Sequence, residues 1–370
     1  MDERELLDKL ICEVDVGADI SVPISISENL SKWKWGSYGW VSPASLIVTA
    51  AWRKYLYPSV DCCRIWASDE NGKPIPGGYS MRSADELVTI PMLAKHDLCK
   101  GFCSPNSGMQ GSRAIEKMRG LKRLDRDFAQ TQRTVFDLKL FASILNDINE
   151  LSSGQAKNVL KYLILIAKKM RDKRIAIDVQ VENIQNNSFD PWCFLEKTSD
   201  PELTKCYVAA CFDVLFAMHG FSIEGVSDHR TAADARAKKP GDISLAKNGE
   251  CVAAIEVKDK SQHIDWQNIN RAENVISNHP KIEYFMFVLE STDAATDSNV
   301  NDIFKSSKMK VYPSNLITVS ALYPIYKQAL SACGPLKLSS KIGFYIASAP
   351  DVKPETKVSW IREVNQSGTL

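Results

Sequence analysis

The chain has 370 residues, with 46 Lys plus Arg against 45 Asp plus Glu and a net charge of +1. That length can bury a substantial core and suggests two domains, while the charge balance excludes a global electrostatic pull toward nucleic acid. The N-terminus, MDERELLDKLICEVD, lacks the basic start and apolar stretch of a secretory signal, and the longest apolar runs, Tyr162 to Ala167 and Tyr284 to Leu289, are too short to cross a bilayer. A cytoplasmic protein with no membrane partner is therefore expected, its ten cysteines reduced and forming no disulfides.

In chain order, residues 1 to about 60 combine a short helix with an aromatic-rich segment (Trp33, Trp35, Tyr38, Trp40), whose rings are expected in core packing or a dimer contact. A turn-rich stretch with Gly72, Pro74, Pro76, Gly77 and Gly78 follows. Apolar residues at helical spacing predict two helices, Thr131 to Glu150 and Gln155 to Arg174, joined by Ser152, Ser153 and Gly154. Ser199 or Asp200 caps a further helix that has Pro201 in its first turn and ends at Gly220. Strands are predicted at Phe221 to Val226, Asp242 to Ala246 and Val252 to Lys258. A helix from about Gln262 to Asn278, a strand from Glu283 to Leu289, and a last strand and helix around Leu316 to Ala332 complete the pattern. The fold class is α/β (α+β), with a mixed sheet flanked by helices after a largely helical N-terminal region. We divide the chain into residues 1–195, a sheet domain at 196–335, and a C-terminal extension at 336–370.

The chemistry is expected in the sheet domain. Pro240-Gly241-Asp242-Ile243 is followed by the turn Lys247-Asn248-Gly249-Glu250 and by Ile255-Glu256-Val257-Lys258. Side chains alternate along a strand, so Glu256 and Lys258 share a face, and an Asn-Gly hairpin brings Asp242 opposite Glu256 or close to it. Two carboxylates and an ammonium suit phosphodiester hydrolysis. Asp242 and Glu256 are hard oxygen ligands for Mg²⁺, the Val257 carbonyl is a further one, and Lys258 orients the attacking water and offsets charge on phosphorus. Acidic-x-Lys also occurs on ordinary exposed strand ends. What distinguishes this case is the apolar run Val252-Ala253-Ala254-Ile255, which marks a buried strand emerging at the surface. Lys260 shares the Lys258 face if the strand continues, and Glu202 and Glu224 are outside candidates for the metal shell.

These residues resemble the PD-(D/E)XK nuclease superfamily, whose core orders its elements αβββαβ. Within it, the helix Lys205-Cys206-Tyr207-Val208-Ala209-Ala210-Cys211 and the two blocks just named are similar to the SacI-like type II restriction endonucleases. So is Gly78-Tyr79-Ser80-Met81-Arg82-Ser83 with Pro105-Asn106-Ser107, which resembles that family's YS-x-R region. Gly241, between Pro240 and Asp242, departs from the superfamily pattern. The resemblance implies a Mg²⁺-dependent homodimer that cuts both strands of a short palindromic site in double-stranded DNA and leaves 5′-phosphates, paired functionally with a cognate DNA methyltransferase.

The densest basic patch, Ser112 to Arg126, supplies Arg113, Lys117, Arg119, Lys122 and Arg123 for phosphate contact; Arg82, Asn106, Gln110 and Arg113 are candidates for reading base edges. A solvated helix face would show the same run of charge. His96, Cys99 and Cys103 have zinc-ligand chemistry without paired CxxC knuckles, and no HExxH, GxSxG, P-loop or GxGxxG occurs. Two other readings compete: a repair or recombination nuclease that recognises DNA shape, and a non-catalytic DNA-binding protein in which Glu256 and Lys258 are a salt-bridged strand end.

Overall fold

The computed structural model describes residues 2–35, 43–69, 71–99, 102–103, 123–124, 137–186, 188–227, 240–259, 264–290 and 317–367. They form two compact units, Met1–Arg174 and Ile175–Leu370. Among the described residues no helix is long and apolar enough to cross a membrane, and all ten cysteines are free thiols.

The first unit is helical: α1 (Glu3–Glu13), α2 (Ile24–Lys32), α3 (Ala44–Leu56), α4 (Met81–Ala84), α5 (Ile90–Lys95), α6 (Leu138–Asn149) and α7 (Ser153–Asn183) as far as Arg174. Leu7, Ile11, Leu46, Trp52, Phe141 and Leu163 share one buried cluster. Trp33 packs against Phe141, and Trp35 stacks on Phe102 with ring centroids 5.3 Å apart. Tyr38 and Trp40 lie outside the described residues. Between α4 and α5 the helix widens into a π turn, Asp85–Thr89. The cause is local: Pro91 has no amide to give the carbonyl four residues back, and that carbonyl, of Leu87, accepts from Arg4 Nε at 2.6 Å instead.

The second unit carries the sheet. After α8 (Pro191–Lys197) and α9 (Pro201–Phe216) come β1 (Phe221–Glu224), β2 (Ile243–Lys247), β3 (Glu250–Lys258), α10 (Trp266–Asn278), β4 (Tyr284–Leu289), β5 (Ile317–Ala321), α11 (Leu322–Cys333), α12 (Pro335–Ser348) and α13 (Pro354–Gln366). The strands lie in the order β1-β2-β3-β4-β5, the first two pairings antiparallel and the last two parallel. This is the mixed, helix-flanked sheet that the alternation of strand and helix patterns predicts. Asn248 and Gly249 both take positive φ in the β2–β3 turn, as a two-residue hairpin requires. The register shifts between Leu245 and Ala246, which leaves Val252 as the extra residue on β3.

On one face of the sheet Ile243, Leu245, Ile255 and Val288 share a core with Leu203, Tyr207 and Val208 of α9, Leu322 of α11, and Leu338 and Ile342 of α12. On the other, Ala254, Phe285, Phe287 and Leu289 pack with Ile269, Ala272 and Ile276 of α10, whose spacing makes one helical stripe.

The compact units divide in sequence after Arg174, and Val181, Phe189 and Phe194 pack into the second unit's core. Trp360 and Val364 belong to that same cluster, and residues 336–366 lie in the second unit.

Asp200 fixes α9 at its start. Its Oδ1 accepts from the Glu202 amide, and its Oδ2 accepts from the Lys353 amide at 3.1 Å and from Thr356 Oγ1 at 2.7 Å. The side chain is both the helix cap and the link between α9 and α13. Asp200→Ala is expected to cost about 2 kcal/mol in denaturant unfolding, since it removes a cap and leaves a buried hydroxyl without its acceptor.

Candidate active site

Continuing the β2–β3 register from Ile243↔Ile255 by one step sets Asp242 across from Glu256. The backbone ladder ends there and a side chain takes over: Asp242 Oδ2 accepts from the Val257 amide at 2.9 Å. The N–H and C=O of one strand residue point to the same edge, so the Val257 carbonyl also faces the Asp242 side. The Lys258 carbonyl faces the other way and accepts from the Glu290 amide.

Two glycines hold this corner. A Cβ on Gly241 would stand 2.9 Å from the Ile255 carbonyl oxygen and 3.1 Å from the Ile255 nitrogen, so the chain passes too close to β3 for any side chain. Gly241 is thus required by the approach that delivers Asp242. Gly225, just past β1, has φ +103°, and a Cβ there would stand 2.6 Å from the Asp242 carbonyl oxygen. Both contacts are with backbone, which cannot swing aside.

Glu256 and Lys258 alternate with Ala254, Ala254 lies in the core beside α10, and both charged side chains therefore project on the α10 face. They are buried, at 5% and 9% exposure. Lys258 Nζ stands 3.4 Å from Glu256 Oε1, and Arg271 of α10 stands 3.6 Å from the same oxygen. Glu256 Oε2 is buried without a hydrogen-bond partner among the described residues. Burial, reinforced by the Asp242 charge, pushes the Glu256 carboxyl above the usual carboxylate range, against the pull of Arg271 and Lys258.

An unpaired buried carboxylate oxygen is expensive unless something else meets it. Asp242, Glu256 and the Val257 carbonyl offer oxygen donors alone, which fits Mg²⁺ rather than a softer metal.

Residues 192–278 match the family described as SacI restriction endonuclease C-terminal domain. No curated protein matches the chain. The SacI-like stretch supports a relationship to restriction endonucleases, and it contains Asp242, Glu256, Lys258 and Arg271 together with the elements α9 to α10.

Around this centre, Glu202 lies in the first turn of α9, on the layer that covers the opposite sheet face, and Glu224 is exposed on edge strand β1. Lys260 lies outside the described residues. Arg271 and Gly225 are absent from the sequence expectations.

In the first unit, Arg82 pairs with Glu86 at 3.1 Å. Arg123 grips Asp61 with two bonds of 2.7 and 3.0 Å, and against the opposing effect of burial this guanidinium holds the Asp61 carboxyl below its ordinary value. Asn106, Gln110, Arg113, Lys117, Arg119 and Lys122 lie outside the described residues. His96 gathers with Asp8 and Cys12, their ligand atoms within 4.8 Å, rather than with Cys99 and Cys103. Lys95 already neutralises Asp8 at 2.7 Å, which makes that group an ion-pair network between α1 and α5.

Proposed function

We propose that the chain is a type II restriction endonuclease of the PD-(D/E)XK kind, Mg²⁺-dependent and acting on double-stranded DNA. The observation that carries this reading is the buried, half-partnered Glu256 carboxylate across from Asp242 and beside Lys258. Asp242, Glu256 and the Val257 carbonyl would hold the cation. When bound, Mg²⁺ would supply Lewis acidity at a non-bridging phosphate oxygen and lower the pKa of water nearby. Lys258, fixed against Glu256, donates hydrogen bonds that orient the attacking water and offset the negative charge growing on the phosphate. The in-line displacement forms a P–O bond to the water oxygen, breaks the bond to the 3′ oxygen, and leaves a 5′-phosphate and a 3′-hydroxyl.

The first unit is assigned DNA recognition and dimerisation, through Arg82, Arg123 and the basic segment that contains Arg113 to Lys122. A two-fold dimer would present one such centre to each strand of a palindromic site, and a companion methyltransferase would protect the host's own DNA.

Incubation of plasmid DNA with the protein and Mg²⁺ is expected to give discrete fragments that EDTA suppresses. Fragments that follow DNA branches or mismatches instead would assign a structure-specific nuclease. No cutting, with no Mg²⁺ binding by calorimetry, would reduce Glu256 and Lys258 to a salt-bridged strand end of small energetic value.

A further inference from the structure

The two cations of the centre are placed unequally. Lys258 and Arg271 both attend Oε1 of Glu256, while Oε2 is left to neither. Their settings also differ. The Lys258 side chain is 11% exposed, enclosed where β3 emerges from the sheet, whereas Arg271 is 45% exposed and reaches Glu256 from the neighbouring helix. Its position follows from the helix: Ile269, Ala272 and Ile276 take the buried stripe, and Arg271 with Val275, one turn on, forms the border of that stripe. At 3.6 Å its contact with Glu256 is an attraction between charges, too long for a hydrogen bond.

We propose that Arg271 is an exchangeable counter-ion that becomes a phosphate grip: it neutralises Glu256 until a divalent cation occupies the site, then turns its guanidinium onto a phosphate oxygen of the DNA strand. This rests on the nuclease reading above. The charge balance supports it. The charges acting on Glu256 are those of Asp242, Arg271 and Lys258, and with its own they sum to zero, so a divalent cation beside them leaves this group doubly positive and weakens the hold of Glu256 on its outermost cation. That cation has the planar fork suited to phosphate, and it is the more exposed of the two. Lys258 is too enclosed to make the exchange.

The test compares Arg271→Met, Arg271→Lys and Glu256→Gln in the full chain. Mg²⁺ affinity is read by calorimetry, and binding of labelled plasmid fragments is read by anisotropy across a salt series, with Ca²⁺ in place of Mg²⁺. Removing a competing cation should strengthen Mg²⁺ binding in Arg271→Met by about threefold, the opposite sign to the loss in Glu256→Gln. DNA affinity should fall about tenfold, with the salt slope smaller by about 0.9, the value of one phosphate contact. Arg271→Lys should restore the slope, since a charge remains, without the full affinity. Unchanged or weaker Mg²⁺ binding in Arg271→Met, or an unchanged salt slope, overturns the proposal and makes Arg271 a strut for Glu256. Unchanged Mg²⁺ binding in Glu256→Gln instead overturns the nuclease reading itself, so the two failures are told apart.

Discussion

Glu256→Gln is expected to lower Mg²⁺-dependent DNA cleavage by about a thousandfold or more while the protein stays folded. The amide keeps the shape of the side chain and loses the charge that a divalent cation needs. Its effect on stability should run the other way from its effect on activity. Burial raises the Glu256 pKa in the folded protein, so the folded chain holds this proton more tightly than the unfolded chain does. The stabilisation that follows is complete below the unfolded carboxyl value, about 4.3, and is lost as pH rises through the folded value. At neutral pH the wild-type protein therefore carries a buried charge at a cost that the glutamine variant lacks. Thermal melting in EDTA at pH 7 should show the variant at least as stable as wild type, and the difference should close below about pH 4. Added Mg²⁺ should raise the melting temperature of the wild type alone, since only its site gains a ligand. A variant that melts well below wild type in EDTA would show that Glu256 is a structural ion pair.

Gly225→Ala is expected to destabilise the second unit by about 4 kcal/mol, the sum of backbone strain at a positive φ and a collision with main chain. Gly225 has φ +103°, and the new methyl would stand 2.6 Å from the Asp242 carbonyl oxygen. Relief requires either Gly225 or Asp242 to move. Displacement of Asp242 breaks the bond from the Val257 amide that holds its carboxylate beside β3. Cleavage should fall with stability, and the surviving activity should need more Mg²⁺ than wild type. Urea unfolding together with a Mg²⁺ titration of cleavage checks both halves. A variant of normal stability would show that the β1–β2 connection adapts without disturbing the corner.

The sheet and the placement of Asp242, Glu256 and Lys258 near one another were legible because the signals involved are short-range. Alternation along Val252 to Lys258 gives the shared face of Glu256 and Lys258, and Asn248-Gly249 gives the hairpin. Asp200 with Pro201 marks the start of α9 where the structure has it. What escaped depends on contacts between distant segments. Nothing in the sequence around Arg271 distinguishes it from any solvated helix residue, because its significance arises only when α10 packs beside β3. Gly225 falls inside the strand predicted at Phe221 to Val226, and its close neighbour, the Asp242 carbonyl, belongs to a separate segment just before β2. The helix predicted to end at Arg174 runs on to Asn183 as α7, because Val181 finds apolar partners in the second unit's core that lie far away in sequence. His96 stands close to Cys99 in sequence, yet its ring meets Asp8 of α1.

The extra residue on β3 is what places Asp242 and Glu256 on one side of this hairpin. In a hairpin closed by a two-residue turn, facing residues are always separated by an odd number of positions, as Lys247 and Glu250 are. Asp242 and Glu256 are separated by an even number, so an unbroken ladder would set Asp242 opposite Ile255 and send the two carboxylates to opposite sides. Val252 changes the parity. A chain that kept every charged side chain and lacked that one valine would turn the two acids to opposite sides of the sheet, so a single insertion or deletion between them is expected to separate them.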